Sequence, residues 1–481
     1  MNSGTTAPAA PAAPAARPPW LTFAFGLGLI TTVGLAIRLV YVLAARQGVC
    51  GGGILVPGCP GDAWVYHHSA DLLARGKGFI SPVDYALSHG RLHLRSADHP
   101  PLLIVVLAAA SFVGLGSWTA HLLVVVAIGT TSIVVAGLMG REVFGPRVAL
   151  VGAALVAVNP NVWINDGNVL SESAAILGTL LIAWAAYRLW ARPSWGRAAL
   201  LGAAIGAAML VRPESGMLLV VVALPIVALR RDTAWRDRLV RLVAVGVAAF
   251  VVCLPWVGYN LARFNHPVTL STGFGITLAN TNCDLTYYGD RTGYWSPECI
   301  PAFQRTRGQD QSDDELFLRR TGLDYITSHK GRFPVVVAAR LGRMFNLYAV
   351  RQQVELDFWE GRPTWASWIA LGFFYPTMAL AALGAVATRR RRIPLSPLLG
   401  PVVVVVANAV LTFGHARYRA PAEGVLCVLA AVGVDAMVRR SRGATGWRSR
   451  ARGPRRTSRA PLPPAGEGAS TGTGPRPAST P

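Results

Sequence analysis

The stretch SWTAHLLVVVAIGTTSIVVAGLMG, residues 117–140, contains no Asp, Glu, Lys or Arg. A helix needs about 20 consecutive apolar residues to cross a bilayer, so this stretch predicts a membrane-spanning helix. Comparable apolar runs recur from Trp20 almost to the C-terminus. The chain is therefore expected to form many spans and not one large core.

Composition supports this interpretation. The 481-residue chain is 52% hydrophobic and 15% charged, whereas soluble domains usually carry about 25% charged residues. A globular soluble enzyme is thereby excluded. The formal net charge of +22 lies largely in short loops and in the C-terminal tail. Lys and Arg in such loops orient membrane proteins, so we expect the bilayer and not a nucleic acid to be the partner.

The fold class that we predict is an all-α polytopic membrane protein of about ten transmembrane helices, with eleven to thirteen as the alternative. Loops rich in arginine, such as Arg230–Arg241 and Arg389–Arg392, are expected to be cytoplasmic, as are both termini. This places the chain in the plasma membrane as a multi-pass protein. The ten spans are predicted at residues 20–45, 117–140, 147–164, 170–188, 198–211, 214–229, 242–258, 364–388, 395–413 and 419–438.

The domain organisation follows from these spans. A membrane domain at 20–438 is expected between a disordered leader, 1–19, and a disordered basic tail, 439–481. Its large outer loops are 46–116 and 259–363. Within the first loop, Pro100–Gly114 is apolar but only 15 residues long. If it crossed the membrane, every later basic loop would be inverted, so we predict a juxtamembrane or re-entrant helix.

Four cysteines lie on the predicted outer side, as the local pairs Cys50 with Cys59 and Cys283 with Cys299. An oxidising exterior favours two disulfides, with free thiols as the alternative. No cysteine spacing matches a zinc site.

Ionisable residues at the edge of a membrane span are costly to bury, so each one is a candidate functional group. The predicted outer side holds Asp62 and Tyr66 on a helix, Asp98-His99 before Pro100, Glu172 at a helix start, Arg212-Pro-Glu214 in a tight turn, and Arg417 and Arg419 in a short turn. Helix capping alone is the competing explanation for Asp62 and Glu172. Arginines opposite the basic loops contradict the charge trend, so they are expected to bind an anion, of which phosphate is the natural candidate.

The same residues carry a resemblance to a known family. The motif G-D-A-x-x-Y-x-x-x-A-x-x-L-x-x-G-x-G-F at Gly61–Phe79 is followed by further elements in a characteristic order. These are His99-Pro-Pro-Leu102, Asn159-Pro160 with Leu170-Ser171-Glu172, Arg212-Pro-Glu214, Pro255-Trp256 through Leu270-Ser271-Thr272, and Arg417-Tyr-Arg-Ala-Pro421. Over about residues 20–438, the chain resembles the GT-C superfamily of membrane glycosyltransferases. Within that superfamily it is similar to the glycosyltransferase family 39 branch, related to protein O-mannosyltransferases and the lipid A aminoarabinose transferase.

This resemblance implies an inverting transfer of a sugar from a polyprenyl-phosphate donor to an acceptor hydroxyl on the outer face. The general base of the family falls on Asp62. Tyr66, Asp98, His99, Glu172, Arg212, Glu214, Arg417 and Arg419 are the expected substrate-binding residues. Protein O-mannosyltransferases carry Asp-Glu at the position of the base, whereas Ala63 follows Asp62 here. The acceptor, whether glycan, protein or lipid, is therefore not inherited from that branch.

No cofactor is predicted, because a monophosphate leaving group needs no metal in principle, although Asp98, His99 and Glu172 could assemble a weak metal site. A transporter or flippase of lipid-linked sugars is the alternative function. Transporters often carry internal repeats and broken helices near the midplane. The chain has no evident repeat, and its ionisable groups gather on one face, which favours an enzyme over a transporter. A noncatalytic scaffold of the same fold is a third candidate.

Overall fold

The computed structural model describes residues 19–50, 58–230, 232–301 and 308–450. Throughout this part of the chain the secondary structure is helical, apart from one isolated β-bridge between Ile80 and Arg95. The prediction of an all-helical protein is confirmed. The helices up to the second large outer segment are α1 Pro19–Ala45, α2 Gly61–Ala74, α3 Pro82–Leu87, α4 Pro101–Phe112, α5 Trp118–Phe144, α6 Pro146–Val158, α7 Pro160–Trp163, α8 Glu172–Ala191, α9 Trp195–Met209, α10 Leu224–Ala228 and α11 Trp235–Leu261.

The remaining helices belong to the second outer segment and the last part of the membrane domain. They are α12 Gly273–Thr281, α13 Asp284–Tyr287, α14 Gln311–Ser328, α15 Phe333–Met344, α16 Val350–Asp357, α17 Thr364–Arg390, α18 Ser396–Leu411 and α19 Ala420–Arg450. Short 3₁₀ turns connect several of them, at Ile164–Gly167, Pro213–Met217, Pro297–Cys299 and Ala416–Arg419.

Six of the described helices, α1, α5, α8, α11, α17 and α19, are long and apolar enough to cross a membrane. A seventh candidate is the pair Pro146–Val158 and Pro160–Gly167, which is bent by 57°. The spans predicted at 198–211, 214–229 and 395–413 correspond to apolar helices of fewer than 18 residues. Fifteen residues of helix rise only about 22 Å, less than the thickness of the hydrocarbon core, so the count of ten does not follow from helix length.

Proline explains where the shorter apolar segments break. Pro160 and Pro213 each stand at the first position of a short helix that follows a helix end. Proline donates no backbone hydrogen bond and clashes with the preceding turn, so a helix stops before it. An apolar run in the sequence is therefore longer than the continuous helix that its residues form. The helix predicted at Pro100–Gly114 is present as α4, which packs against α2.

The basic loops meet at one end of the helices. Arg141, near the end of α5, lies over the ring of Phe23 at the start of α1. Glu142 accepts a hydrogen bond of 3.0 Å from Arg188 near the end of α8, and Arg230 donates to the carbonyl of Trp190. The loops that the charge pattern assigns to the cytoplasm thus occupy a common end.

Close helix contacts depend on glycine on one side of the bundle. A Cβ atom at Gly202 or Gly206 of α9 would lie 2.1 Å or 2.7 Å from the backbone oxygens of Val245 and Ala249 in α11. Two small residues four apart let two helix backbones approach closely, which favours packing inside a bilayer. The opposite face of α11 is exposed, as at Phe250, and suits contact with lipid.

Most of the expected leader, residues 1–18, and of the tail, residues 451–481, lies outside the described residues. Residues 439–450, which the sequence assigned to the disordered tail, instead continue α19. Extending an existing helix requires no new nucleation, which accounts for this difference.

Candidate active site

Asp62 lies in the first turn of α2, which begins at Gly61 directly after Pro60. A disulfide between Cys50 and Cys59 ties the end of the preceding segment to this point, and a second one joins Cys283 to Cys299, as the local pairing predicts. The aspartate side chain is 45% exposed. A carboxylate at a helix N-terminus is stabilised by the helix dipole, so capping and chemistry are compatible roles here.

Arg417 is the centre of the site. Its Nη2 donates to Asp62 Oδ2 at 3.0 Å, its Nε donates to Glu172 Oε1 at 2.7 Å, and its Nη1 donates to Glu360 Oε2. Helices α2 and α8 and the loop before α17 contribute these three acids. A guanidinium presents donors in several fixed directions, so one arginine can hold three carboxylates that are far apart in the chain.

A second arginine extends the cluster. Arg212 donates from Nη1 to Glu172 Oε1 at 3.3 Å and from Nε to Glu214 Oε1 at 2.6 Å. Its guanidinium also lies 4.9 Å from the centre of the Tyr418 ring. Sequence reasoning placed Glu172, Arg212, Glu214 and Arg417 on one side of the membrane, and the structure brings all four into one network.

The backbone around Arg417 is held by a histidine. His415 Nδ1 accepts a 2.9 Å hydrogen bond from the Arg417 backbone N–H. The other ring nitrogen of His415 lies 2.9 Å from Asp357 Oδ1. The short 3₁₀ turn that carries Arg417 is therefore braced from α16, which fixes the direction of the guanidinium.

His99 and Tyr66 form the side of the site next to Asp62. His99 Nε2 lies 3.9 Å from Asp62 Oδ1, and its ring stacks on Tyr66 with the ring centres 4.4 Å apart. Burial, followed by the nearby Glu172, raises the pKa of Tyr66 above its ordinary value. Its hydroxyl therefore stays protonated and can act as a hydrogen-bond donor.

Two of the predicted site residues have other partners. Asp98 accepts hydrogen bonds from Ser96, at 3.1 Å, and from Gln311 at the start of α14, so it links the two outer segments. Arg419 is 1% exposed and donates to Glu423, to the Met344 carbonyl and to Asn161. These contacts make Arg419 a brace between helices, and we leave it out of the donor site proposed below.

Sequence reasoning missed Glu360. This residue is 3% exposed and accepts hydrogen bonds from Trp295 Nε1, at 2.7 Å, and Tyr294 OH, at 3.3 Å, besides Arg417. The available signal was its position four residues before the span at Thr364, where a carboxylate is as costly as at Glu172.

Electrostatics favours an ionised base at Asp62. Partial desolvation acts to raise the pKa of Asp62, but Arg417, with His99 and Arg212, lowers it more, so the pKa lies below the ordinary value of 3.8. Arg212 is buried, yet Glu214 and Glu172 raise its pKa above its ordinary value. The network therefore consists of two guanidiniums and the four carboxylates Asp62, Glu172, Glu214 and Glu360. Asp62 is the most exposed of these acids in the ion pairs described.

Part of the chain matches a known protein family. The family model described as Dolichyl-phosphate-mannose-protein mannosyltransferase matches residues 98–259. A search of curated proteins found no matching sequence.

Among solved structures, the chain is similar to the archaeal oligosaccharyltransferase AglB from Archaeoglobus fulgidus in complex with an inhibitory peptide and a dolichol-phosphate. The TM-score is 0.53 at 12% identity, over 91% of this chain and 53% of that one. A second structure of the oligosaccharyltransferase from the same organism, tethered with an acceptor peptide containing the NVT sequon, has a TM-score of 0.53 at 14% identity, over 87% of this chain and 50% of that one. ArnT from Cupriavidus metallidurans bound to undecaprenyl phosphate has a TM-score of 0.42 at 16% identity, over 87% and 78%. The chain thus shares the fold of the archaeal enzyme while spanning about half its length.

Proposed function

We propose that this chain is a membrane glycosyltransferase of the GT-C superfamily and that it moves a sugar from a polyprenyl-phosphate donor to an acceptor hydroxyl; its fold and the family-model match support this. The transfer takes place on the outer face of the plasma membrane, with both termini cytoplasmic, and inverts the anomeric centre. Asp62 is the general base.

One observation carries the proposal: Asp62, which the guanidiniums keep ionised, is also the accessible carboxylate of the cluster. Asp62 is 45% exposed, whereas Glu172 and Glu360 are 1% and 4% exposed at their side chains. A base must reach the proton that it removes, and the buried acids cannot meet an acceptor without rearrangement. Glu172 and Glu360 instead fix the direction of Arg417.

The proposed reaction is a direct displacement at the anomeric carbon of the donor sugar. The acceptor oxygen forms a bond to the anomeric carbon while its proton passes to Asp62. The bond from that carbon to the donor phosphate breaks, and the phosphate takes the electron pair. A positioned base contributes roughly 10²–10⁴-fold to such a reaction.

The leaving phosphate is proposed to lie against Arg212 and Arg417. Fixed, charge-assisted hydrogen bonds stabilise charge that develops in the transition state. A guanidinium has five N–H donors, and the described carboxylates use three on Arg417 and two on Arg212. Donors therefore remain for a phosphate at both residues. Since two guanidiniums supply the positive charge, the proposed reaction uses no metal.

The acceptor is proposed to be a hydroxyl of a glycan, a protein or a lipid. Trp295, which is partly exposed and donates a hydrogen bond to Glu360, borders the site on the acceptor side in this proposal. Aromatic faces suit sugar rings, since they offer apolar contact next to hydrogen-bonding groups.

The Asp62→Asn variant tests the proposal. The amide keeps the shape of the side chain but cannot take the proton, so transfer should fall at least about 100-fold. The measurement is transfer from a panel of radiolabelled polyprenyl-phosphate sugars in membranes that contain the full chain at matched expression. Asp324→Asn, at an exposed position of α14, is the matched control and should keep full activity. Undiminished transfer by Asp62→Asn would end the proposed role.

A further inference from the structure

We propose that His67, His68 and Asp71 on α2 form a site for a late first-row divalent cation, with Zn²⁺ as the preferred ion. One ligand atom from each of the three side chains lies within 4.8 Å of the others. Nitrogen ligands with one carboxylate suit zinc and its neighbours in the first row better than magnesium or calcium, which prefer oxygen.

The helical spacing directs the three side chains to one place. His67 and Asp71 are four residues apart and His68 and Asp71 are three apart, so all three share one side of the helix. His67 Nε2 lies 3.9 Å from Asp71 Oδ2. In a tetrahedral zinc site, ligand atoms about 2.0–2.2 Å from the metal are about 3.3 Å from one another. Small rotations of the three side chains would bring their ligand atoms to that spacing.

A ring of hydrogen bonds determines which nitrogen of His67 is available. Ser111 donates its single hydroxyl proton to Asp71 Oδ1 at 2.7 Å, so it can only accept from His121 Nε2, at 2.8 Å. Neutral His121 then has no proton on Nδ1 and must accept from His67 Nδ1, which lies 2.8 Å away. This assignment leaves His67 Nε2 with a free lone pair on the side of Asp71.

This arrangement is typical of a prepared metal ligand. A histidine that binds a metal almost always donates its other ring N–H to a partner that fixes the ring, and the partner is itself oriented by further hydrogen bonds. His121, which is fully buried on α5, is the partner of His67, and Ser111 on α4 orients His121. The ring therefore joins three helices behind the proposed ligands.

An opening provides access for the ion. A cavity of about 400 Å³ borders Asp71 and is also lined by Arg75, Ser111 and Gly116. A cavity of this size admits a hydrated ion as far as the Asp71 carboxylate.

The site is separate from the proposed chemistry. His67 and Asp71 follow Asp62 by five and nine residues on the same helix, so the distance along the helix axis is about 7–14 Å. The bound ion would hold α2 against α4 and α5 and would act on the base only through the position of α2. Metal binding at this site is independent of the proposed transfer reaction.

The experiment measures metal binding by the full-length protein, purified in detergent with a tag that contains no histidine. After removal of metal with a chelator, Zn²⁺ is added with a competing indicator, and bound zinc is also counted by mass spectrometry after gel filtration. One tightly bound zinc per chain is expected. His67→Ala and Asp71→Asn should lose it, whereas His93→Ala, at an exposed histidine, should bind zinc like the parent.

Ser111→Ala keeps every ligand and removes the group that orients His121, so it should weaken zinc binding about 10–100-fold. Binding of Co²⁺ provides a spectroscopic check, since nitrogen ligation in a tetrahedral site gives an intense visible absorption that the His68→Ala variant should lack. Zinc binding that is unchanged in monodisperse His67→Ala protein would overturn the proposal, as would the absence of stoichiometric zinc in the parent.

Discussion

Arg417 keeps three acids in fixed positions: Asp62 of the first outer segment, Glu172 of α8 and Glu360 of the loop before α17. Without a cation between them, Asp62, Glu172 and Glu360 would repel one another in a poorly solvated place. Removing one partner from a buried ionic group is strongly destabilising because the other charges remain. Arg417 is therefore both a positioning group and, in the proposed reaction, a phosphate ligand.

Arg417→Lys separates charge from geometry. An ammonium keeps the positive charge but cannot reach three carboxylates in fixed directions at once. We expect the protein to insert and remain folded, with kcat for sugar transfer reduced roughly 10²-fold and KM for the lipid donor raised. Kinetics at varied donor concentration measure both values. Arg351→Lys, at an exposed arginine of α16, is the control. If Arg417→Lys kept the kcat and KM of the parent protein, the planar geometry of the Arg417 guanidinium would have no role.

The lowered pKa of Asp62 leads to a prediction about how activity and stability depend on pH. Because Arg417 and His99 hold the pKa below 3.8 in the folded protein, the base is almost completely ionised from about pH 5 upward. Stability from the Asp62–Arg417 pair is likewise present at neutral pH and is lost as the pH falls through the folded-state pKa. We expect kcat/KM for the acceptor to show no carboxylate limb between about pH 5 and pH 8. A profile across this range checks the prediction; an acidic limb there that disappears in Asp62→Asn would contradict it.

At the scale of elements, the break after α6 is stabilised by a side chain from another helix. The Val156 and Ala157 carbonyls, near the end of α6, accept hydrogen bonds of 3.2 Å and 3.1 Å from Arg38 of α1. Arg38 also forms a 2.6 Å ion pair with Asp166, which accepts a hydrogen bond from Ser173 of α8. Helix ends leave carbonyls unpaired, and inside a membrane such groups must find protein partners.

Asp166→Ala should therefore destabilise the packing of α1, α6 and α8. Arg38 is fully buried, so the variant would leave an unpaired charge, at a cost of about 3–5 kcal/mol. Thermal unfolding of the purified protein in detergent should show a lowered midpoint. The double variant Arg38→Met, Asp166→Ala should recover part of the loss, and a double variant less stable than Asp166→Ala would contradict this account.

At the scale of the whole molecule, α8 runs from one end of the helix bundle to the other. It begins at Glu172 in the candidate site and runs to Arg188 among the basic loops. Its 20 residues rise about 30 Å, which matches the hydrocarbon thickness of a bilayer. The candidate site and the arginine-rich loops therefore belong to opposite ends of the spans.

Cysteine labelling tests which end faces outward. Thr327→Cys places a thiol on an exposed residue of α14, on the side of the candidate site, and Arg192→Cys places one among the basic loops. The native cysteines are disulfide-bonded or buried. A membrane-impermeant maleimide should label Thr327→Cys in intact cells and Arg192→Cys only after permeabilisation. The reverse pattern would invert the proposed topology.

The predictability of the site differs among its members for a physical reason. Charged residues at the ends of apolar runs stand out because a bilayer penalises them, so Asp62, Glu172, Arg212 and Arg417 could be selected from sequence. Glu360 lies four residues before the span at Thr364, but its long outer segment has many polar neighbours, so a carboxylate stands out less there. His67 and Asp71 were not singled out from the sequence, because their partners Ser111 and His121 lie on other helices.

Composition and the charge of short loops were sufficient to establish a helical membrane protein, since these properties depend on the summed cost of transferring residues into a bilayer. Where the helices break, and which charges meet, depends on contacts between segments that are hundreds of residues apart, such as Arg417 with Asp62. Packing also separated Arg417, in the candidate site, from Arg419, which faces Glu423. Two residues along a turn point in different directions, and only their surroundings determine whether each one meets a substrate or a neighbouring helix.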